Sequence, residues 1–303
     1  MIKLPLGVDI NNLIDDLRDF CWEASDILLE YAQIIKDSKH KGNILINGNI
    51  EDPVTLADLK VNEVILKRIN ENYKNINWNI LSEENVKNNS NKININKDFI
   101  WILDPLDGTR DFLQETGNYA MHLGLNYKNK PYIGIVLIPH KDELWISNGE
   151  NVWCENRNGT YIKPNLSKRF NISEMKIVTS KNHRNQTLKN LIKKLNFKEV
   201  IVMGSIGCKI ASILRGESDI YICLSLPGGT SPKDWDFSAP SAAIKTAGGA
   251  ITNLNNKELI YGKSNFEQGG IIIASNNYQN HEKICLEIKE TINKYDLYPL
   301  NIN

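Results

Sequence analysis

Residues 99–109 read FIWILDPLDGT, an apolar run that gives way to two aspartates. The apolar part predicts a buried strand that ends abruptly at Asp104-Pro105. Asp107 follows Asp104 by three residues in a tight turn, so both carboxylates can converge on one point. Like charges repel, and such a pair is costly unless cations lie between them. Hard oxygen ligands of this kind suit Mg²⁺ rather than zinc.

The two residues after this pair suit a bound anion. Gly108 permits close approach of the backbone to a ligand, and Thr109 adds a hydroxyl beside amides at the start of a predicted helix. Taken alone, the motif is equally well interpreted as a turn that ends a strand, with an aspartate that caps the next helix.

Three other segments carry carboxylates at the edge of an apolar run or at a helix start. Glu83 lies in SEE after one such run, Asp236 lies in WDFSAP, and Asp52 opens DPVTLAD just before a predicted helix. Individually, a Glu-Glu pair is usually a solvated face, and an aspartate at a helix start is usually an N-cap.

The composition limits the class of function. The chain has 303 residues with 36 basic and 36 acidic side chains, so its formal net charge is zero. A nucleic-acid platform would show a basic excess or stripe, so no nucleic-acid partner is expected.

Five separated cysteines without a CxxC pair indicate neither a disulfide framework nor a zinc knuckle. With no signal peptide and no apolar run of spanning length, a cytoplasmic protein without a membrane partner is expected.

Hydrophobic periodicity predicts an α/β fold. In the first part, helices are predicted at about 9–35, with Asp9 as N-cap, and from about Leu56. An antiparallel meander is predicted there from strands at 119–127, 132–139, 143–147 and 152–155. In the second part, predicted strands at 176–180, 200–203, 220–224, 250–252 and 271–274 alternate with predicted helices at 186–195, 206–215, 237–247 and 277–292.

The predicted organisation is an N-terminal α+β half, 1–170, with most of the carboxylates, and a C-terminal α/β half, 171–303, that completes the site. The two halves are expected to pack as one unit. The Asn/Lys-rich segment 86–97 is expected to be a mobile surface loop.

Together the motifs resemble a known family. DPLDGT with an upstream SEE, a DPVTLAD segment and a downstream WDFSAP followed by AGG is similar to the inositol monophosphatase superfamily. The segments occur in that family's order and cover most of the chain. The resemblance implies a layered αβαβα sandwich and metal-dependent hydrolysis of a phosphomonoester.

The resemblance also implies a set of metal ligands. Glu83, Asp104 and the carbonyl of Leu106 would hold a first Mg²⁺. Asp104 would bridge to a second ion, bound also by Asp107 and Asp236. Two or three Mg²⁺ ions are expected in all.

The remaining catalytic roles follow from the same resemblance. Asp52 and Thr109 resemble the pair that helps to activate the attacking water, and the amides of Gly108 and Thr109 would bind phosphate oxygens. One metal would supply hydroxide and the other would stabilise the leaving oxygen. The five histidines show no ligand spacing and are expected to be structural or exposed.

The substrate is predicted from two further segments. Arg110-Asp111-Phe112 is similar to the Lys-Glu-Phe of 3′(2′),5′-bisphosphate nucleotidases of the CysQ type, whereas inositol monophosphatases more often have Thr-Asn-Phe. Residues 204–209, GSIGCK, resemble the nucleotidase stretch near the substrate, so Ser205 and Lys209 would bind it, with Lys209 facing the second phosphate. A surface lysine at a helix start is the alternative.

The resulting hypothesis is removal of the 3′-phosphate from 3′-phosphoadenosine 5′-phosphate, a small phosphorylated substrate. One alternative is a phosphatase for inositol or sugar phosphates. Another is a non-enzymatic regulatory partner of a protein or RNA, which the complete ligand set disfavours. A monomer and a homodimer remain equally open.

Overall fold

The structure, a computed structural model, describes residues 2–37, 45–47, 54–88, 97–182 and 184–299. The α-helices of this part are α1 (Ile10–Asp37), α2 (Leu56–Asn72), α3 (Glu83–Asn88), α4 (Thr109–Leu113), α5 (Gln186–Leu195), α6 (Ile206–Leu214), α7 (Asp234–Thr246) and α8 (Tyr278–Tyr295). The strands are β1 (Leu45–Asn47), β2 (Val54–Thr55), β3 (Asn79–Ser82), β4 (Phe99–Asp107), β5 (Ala120–Tyr127), β6 (Lys130–Ile138), β7 (Glu143–Ser147), β8 (Val152–Glu155), β9 (Tyr161–Ile162), β10 (Lys176–Ser180), β11 (Glu199–Met203), β12 (Ile220–Leu224), β13 (Ala250–Asn253) and β14 (Ile271–Ser275).

The chain divides into two compact units. The first comprises Met1–Lys163, Ser205–Cys208 and Trp235–Ala243; the second comprises Pro164–Gly204, Lys209–Asp234 and Ile244–Asn303. Two short segments of the later chain therefore belong to the first unit. The predicted boundary near residue 170, with both halves packed as one unit, stays a prediction.

A seven-stranded sheet forms the centre of the first unit. Its strand order is β3-β4-β5-β6-β7-β8-β9. β3 runs parallel to β4, and each later strand is antiparallel to its neighbour. The predicted antiparallel meander is confirmed, because successive strands joined by short turns pair in chain order.

Helices α1 and α2 cover one face of this sheet. Asp9 begins α1 as predicted, since its Oδ1 accepts the amides of Asn11 at 2.9 Å and Asn12 at 3.0 Å. The apolar residues of α1 recur every three or four positions, so they form one stripe that packs against strands β4 to β7. Leu17 is completely buried in this core, and its truncation to alanine would cost about 2–5 kcal/mol.

The opposite face of the sheet is shaped by glycines. Gly124 on β5 and Gly134 on β6 face each other across the ladder. A Cβ on Gly134 would lie 2.4 Å from the carbonyl oxygen of Ala239, and one on Gly124 would lie 2.3 Å from Ser238 Oγ. Because neither residue carries a side chain, α7 packs directly on the strands. This close approach sets the position of Asp236 at the start of α7.

The second unit contains a five-stranded mixed sheet. Its order is β11-β10-β12-β14-β13, with β10 parallel to both β11 and β12 and the remaining pairs antiparallel. Apolar residues of α5 and α8 pack with β10, β12 and β14 into one core. The alternation of strands and helices predicted from residue 176 is confirmed, with bounds that differ by at most three residues.

Two further predictions concern positions that lie partly or wholly outside the described residues. The predicted loop at 86–97 begins inside α3, and residues 89–96 lie outside the described part of the chain. Asp52 also lies outside it. Among the described residues, no helix combines the length and the apolar character that a bilayer crossing requires.

Candidate metal centre and active site

A bulge at the end of β4 brings Asp104 and Asp107 to the same face of the sheet. Asp104 pairs with His122 on β5, and Asp107 pairs with Ala120, so one extra residue is inserted between them. Side chains of a regular strand alternate between faces, and residues three apart would point to opposite sides. The inserted residue restores a common side. The prediction that the strand ends at Asp104-Pro105 is therefore wrong, because pairing with β5 continues through the bulge.

A third carboxylate joins this pair. Asp104, Asp107 and Asp236 each offer an oxygen, and these oxygens lie within 4.8 Å of one another. Burial and the like charges of nearby carboxylates raise the pKa of Asp104 well above its ordinary value. A divalent cation at this point would offset that repulsion, and the oxygen ligands suit Mg²⁺. The residues present therefore fit the metal that the sequence predicts.

Glu83 lies beside the same cluster. It follows β3 directly as the first residue of α3. Because β3 and β4 are parallel neighbours, with Ser82 opposite Leu103, their carboxyl ends place Glu83 near Asp104. A hydrogen bond between these two carboxyl groups also raises the pKa of Asp104, after burial and charge repulsion. Glu83 forms an ion pair with Lys87 at 2.9 Å as well.

Asp107 is held by the start of α6. Its Oδ2 accepts hydrogen bonds from Ser205 Oγ at 2.6 Å, from the amide of Gly207 at 3.2 Å and from the amide of Ile206. The Nε2 of His122 lies 3.3 Å from the same oxygen. Amides at a helix start favour negative charge, so this surrounding stabilises the carboxylate. Ser205, predicted to bind substrate, thus contacts a predicted metal ligand.

Thr109 lies beside a carboxylate that sequence analysis did not select. Its Oγ1 lies 3.1 Å from the carbonyl oxygen of Leu106 and 3.4 Å from Oδ1 of Asp58. Gly108 before it has a φ of 90°, the left-handed region that favours glycine. The structure places Asp58 next to Thr109, where the sequence predicted Asp52.

Asp58 is fixed in the first turn of α2. Its Oδ2 accepts the amide of Thr55 at 2.8 Å and the Thr55 hydroxyl at 2.5 Å, while Thr55 Oγ1 accepts amides of α2 in return. Burial raises the pKa of Asp58 to about 8. The pattern Thr-x-x-Asp at a helix start is the signature of a capping box, which explains why the sequence alone predicts only a cap.

His122 is a second residue that sequence analysis missed. It is buried on β5, in contact with Asp107, although the spacing of the histidines shows no ligand pattern. Only the register of β5 against β4 reveals it. His281, by contrast, is buried between Thr252 and Ser275 in the second unit and is structural, as expected.

Lys209 and Asp111 belong to the two segments from which the substrate is predicted. Lys209 is buried in the second unit, with its ammonium 5.3 Å from the centre of the Tyr221 ring. Asp111 is buried and accepts the hydroxyl of Thr116 at 2.7 Å, so its carboxylate holds the turn after α4. The roles of Lys209 and of the Gly108 and Thr109 amides in substrate binding stay predictions.

The comparison with known families decides the classification. The model of the inositol monophosphatase family matches residues 10–293. The chain belongs to the inositol monophosphatase family. The match covers the carboxylate cluster together with Thr109 and Asp58.

Individual relatives agree with this assignment. The chain is 30% identical over 215 residues to the 3′(2′),5′-bisphosphate nucleotidase CysQ of Buchnera aphidicola subsp. Acyrthosiphon pisum, covering 70% of this chain and 75% of that protein. It is 24% identical over 252 residues to CysQ of Escherichia coli O157:H7, covering 82% and 94%. Among solved structures, an IMPase from Thermotoga maritima shares the fold with a TM-score of 0.70 at 19% identity, covering 93% and 99%.

Three predictions are confirmed by these matches. The family is the one that the motifs resemble, the fold is the layered α/β fold of that family, and the protein is a metal-dependent phosphoric monoester hydrolase. Its substrates are small phosphorylated molecules.

Proposed function

We propose that this family member removes the 3′-phosphate from 3′-phosphoadenosine 5′-phosphate in the presence of Mg²⁺, giving AMP and phosphate. The chemistry is supported by the convergence of Asp104, Asp107 and Asp236, whose charges repel unless a cation is bound. The choice of substrate is supported by relatives that are named bisphosphate nucleotidases.

Two or three Mg²⁺ ions are proposed for the site. Asp104, Asp107 and Asp236 would hold them, with Glu83 and the carbonyl oxygen of Leu106 as further ligands. Bound there, the ions would neutralise charge on the phosphoryl group and lower the pKa of a water molecule. Hard oxygen ligands favour Mg²⁺ over softer metals.

Thr109 and Asp58 are proposed to take the proton of the attacking water. A hydroxyl group both donates and accepts, so Thr109 can donate to Asp58 while it accepts from water. The carboxyl group of Asp58, with a pKa of about 8, can take up and release a proton near neutral pH. The water oxygen joins phosphorus and its proton passes to Asp58, the bond from phosphorus to the 3′-oxygen breaks, and that oxygen takes a proton from solvent water.

Asp58 takes the place of Asp52 in this proposal. Thr109 Oγ1 lies 3.4 Å from Oδ1 of the Asp58 carboxylate, whereas Asp52 lies outside the described residues. Replacement of Asp58 by asparagine keeps the size of the side chain and removes the acceptor of the proton, so it should lower kcat far more than KM.

The second phosphate of the substrate requires a cation. Arg110 follows Thr109 directly and is half-buried, and Lys209 is the sequence-predicted partner of this phosphate. Arginine and lysine bind phosphate oxygens through charged hydrogen bonds. A bisphosphate should therefore bind more tightly than the corresponding 3′-monophosphate.

The test is phosphate release from four substrates: 3′-phosphoadenosine 5′-phosphate, 3′-AMP, inositol 1-phosphate and fructose 1,6-bisphosphate. We expect the first to give the highest kcat/KM, Asp107→Asn to abolish activity on all of them, and Lys209→Met to reduce the preference over 3′-AMP. A preference for inositol 1-phosphate would keep the metal site and reject the nucleotide.

The second candidate is a phosphatase for inositol or sugar phosphates. The observation that favours it is the fold shared with solved inositol monophosphatases. The same substrate panel separates the two candidates, because it compares kcat/KM for the nucleotide directly with that for an inositol phosphate and a sugar phosphate.

A further inference from the structure

The imidazole of His122 lies between the strands and the start of α6. His122 is completely buried on β5, opposite Asp104 on β4 and Val136 on β6. A Cβ on Gly207 would lie 2.3 Å from its Nε2 and 2.7 Å from Val136 Cγ1. The absence of a side chain at Gly207 therefore makes room for the ring beneath the first turn of α6.

The two ring nitrogens face the two chain segments that supply metal ligands. Nε2 lies 3.3 Å from Oδ2 of Asp107. Nδ1 lies 3.4 Å from the carbonyl oxygen of Trp235, the residue before Asp236. The carboxylate oxygen and the carbonyl oxygen both only accept hydrogen bonds, so the ring donates on the side of whichever nitrogen carries the proton. One buried ring thus contacts both the bulged end of β4 and the start of α7.

These contacts leave one oxygen of Asp107 for a ligand. Within the described part of the chain, the hydrogen bonds that Asp107 accepts all reach Oδ2, from Ser205 Oγ and from the amides of Ile206 and Gly207. His122 reaches the same oxygen from the side of the sheet. A carboxylate held from two directions cannot rotate without breaking several of these contacts, so the direction of Oδ1 is set before an ion arrives.

We propose that His122 is a positioning residue, which orients Asp107 and the backbone beside Asp236 for a divalent cation. Groups that hold a metal ligand in place commonly change metal affinity about 10–100-fold when they are removed. The inference rests on the proposed function in one respect, namely that the carboxylate cluster binds metal. It requires no contact between His122 and the substrate.

A pair of variants separates the contact with Asp107 from the bulk of the ring. The amide nitrogen of glutamine reaches about as far as Nε2 of histidine, so His122→Gln keeps a polar nitrogen beside Oδ2 of Asp107. Asparagine is one methylene shorter and reaches only as far as Nδ1, toward Trp235, so His122→Asn loses the contact with Asp107.

The measurement is Mn²⁺ binding to the protein without substrate, with the free ion counted by electron paramagnetic resonance. Mn²⁺ takes the same oxygen ligands as Mg²⁺. We expect His122→Asn to bind Mn²⁺ about ten-fold more weakly and His122→Gln to bind it nearly as well as the unchanged protein. Thermal unfolding in EDTA is the control measurement for whether both variants are folded.

Two results would overturn the role of His122. One is unchanged Mn²⁺ affinity in His122→Asn. The other is an equal loss in both variants, which would mean that the ring only fills space. Asp104→Asn is the control for the metal site itself. If Asp104→Asn also binds Mn²⁺ normally, the proposed metal site fails, whereas a loss in Asp104→Asn alone refutes only the role of His122.

Discussion

Replacement of Gly134 by alanine tests whether the packing of α7 on the sheet positions Asp236. The added Cβ would lie 2.4 Å from the carbonyl oxygen of Ala239 and 2.7 Å from Cβ of Ala242. Both atoms belong to the body of α7, so neither can rotate away. The helix has to move outward, and Asp236 on its first turn has to move with it.

The size of the effect follows from these distances. The contact with Ala239 must open to at least 3.0 Å, a shift of about 0.6 Å. Overpacking of a core typically costs about 1–3 kcal/mol of the free energy of unfolding. A misplacement of about 1 Å far from the chemistry can reduce activity on the order of 100-fold, so for Gly134→Ala we expect a loss of about ten-fold in phosphate release.

The assay combines thermal unfolding with Mg²⁺-dependent phosphate release. Gly269→Ala is the matched control, because its nearest neighbour is Ser231 Oγ at 3.2 Å, the end of a side chain that can rotate. A Gly134→Ala protein with the melting temperature and activity of the control would refute the reasoning. A loss of stability without a loss of activity would show that Asp236 does not depend on this contact.

Three further predictions concern charge and protons. Asp104→Asn removes charge repulsion from a buried cluster, so in EDTA the variant should melt at a higher temperature than the unchanged protein. It should show no Mg²⁺-dependent stabilisation and no activity. A lower melting temperature in EDTA would contradict this. Thr109→Val and Asp58→Asn should each lower kcat, and the double variant should be little worse than either, because the two groups act as a unit; additive losses would separate their roles. Burial lowers the pKa of His281 to about 4, below its ordinary value of about 6.5, so the unfolded chain binds this proton more readily and the stability that neutral His281 provides is lost as pH falls from about 6.5 to 4. The loss amounts to about 3 kcal/mol of the free energy of unfolding at most. Between pH 6.5 and pH 4, the melting temperature of His281→Gln should therefore depend less on pH than that of the unchanged protein.

Local patterns in the sequence were enough for most helices and strands. The start of α1 at Asp9 and the strands of the meander depend on side chains close together in the chain, and both were predicted. The carboxylates of the cluster were also predicted, because aspartates placed at the ends of apolar runs are few and their motifs resemble one family.

Predictions failed or fell short where pairing between distant segments decides the outcome. The strand through Asp104 continues because β5 pairs with it across a bulge, and no local signal marks that pairing. The choice between the two aspartates of DPVTLAD depends on which one faces Thr109, and the structure places Asp58 there. A capping box at Thr55 conceals this second role.

The sequence by itself determined the chemistry: hard oxygen ligands, a hydroxyl and a family of metal-dependent phosphatases. Those properties depend on residue types and short motifs, which can be recognised without knowledge of the fold. Only the tertiary structure decided which groups meet. His122 reaches Asp107 through the register of β5 against β4, and Asp236 joins the cluster because Gly124 and Gly134 let α7 lie directly on the sheet. Register and close packing depend on contacts between segments far apart in the chain, and such contacts exist only after folding.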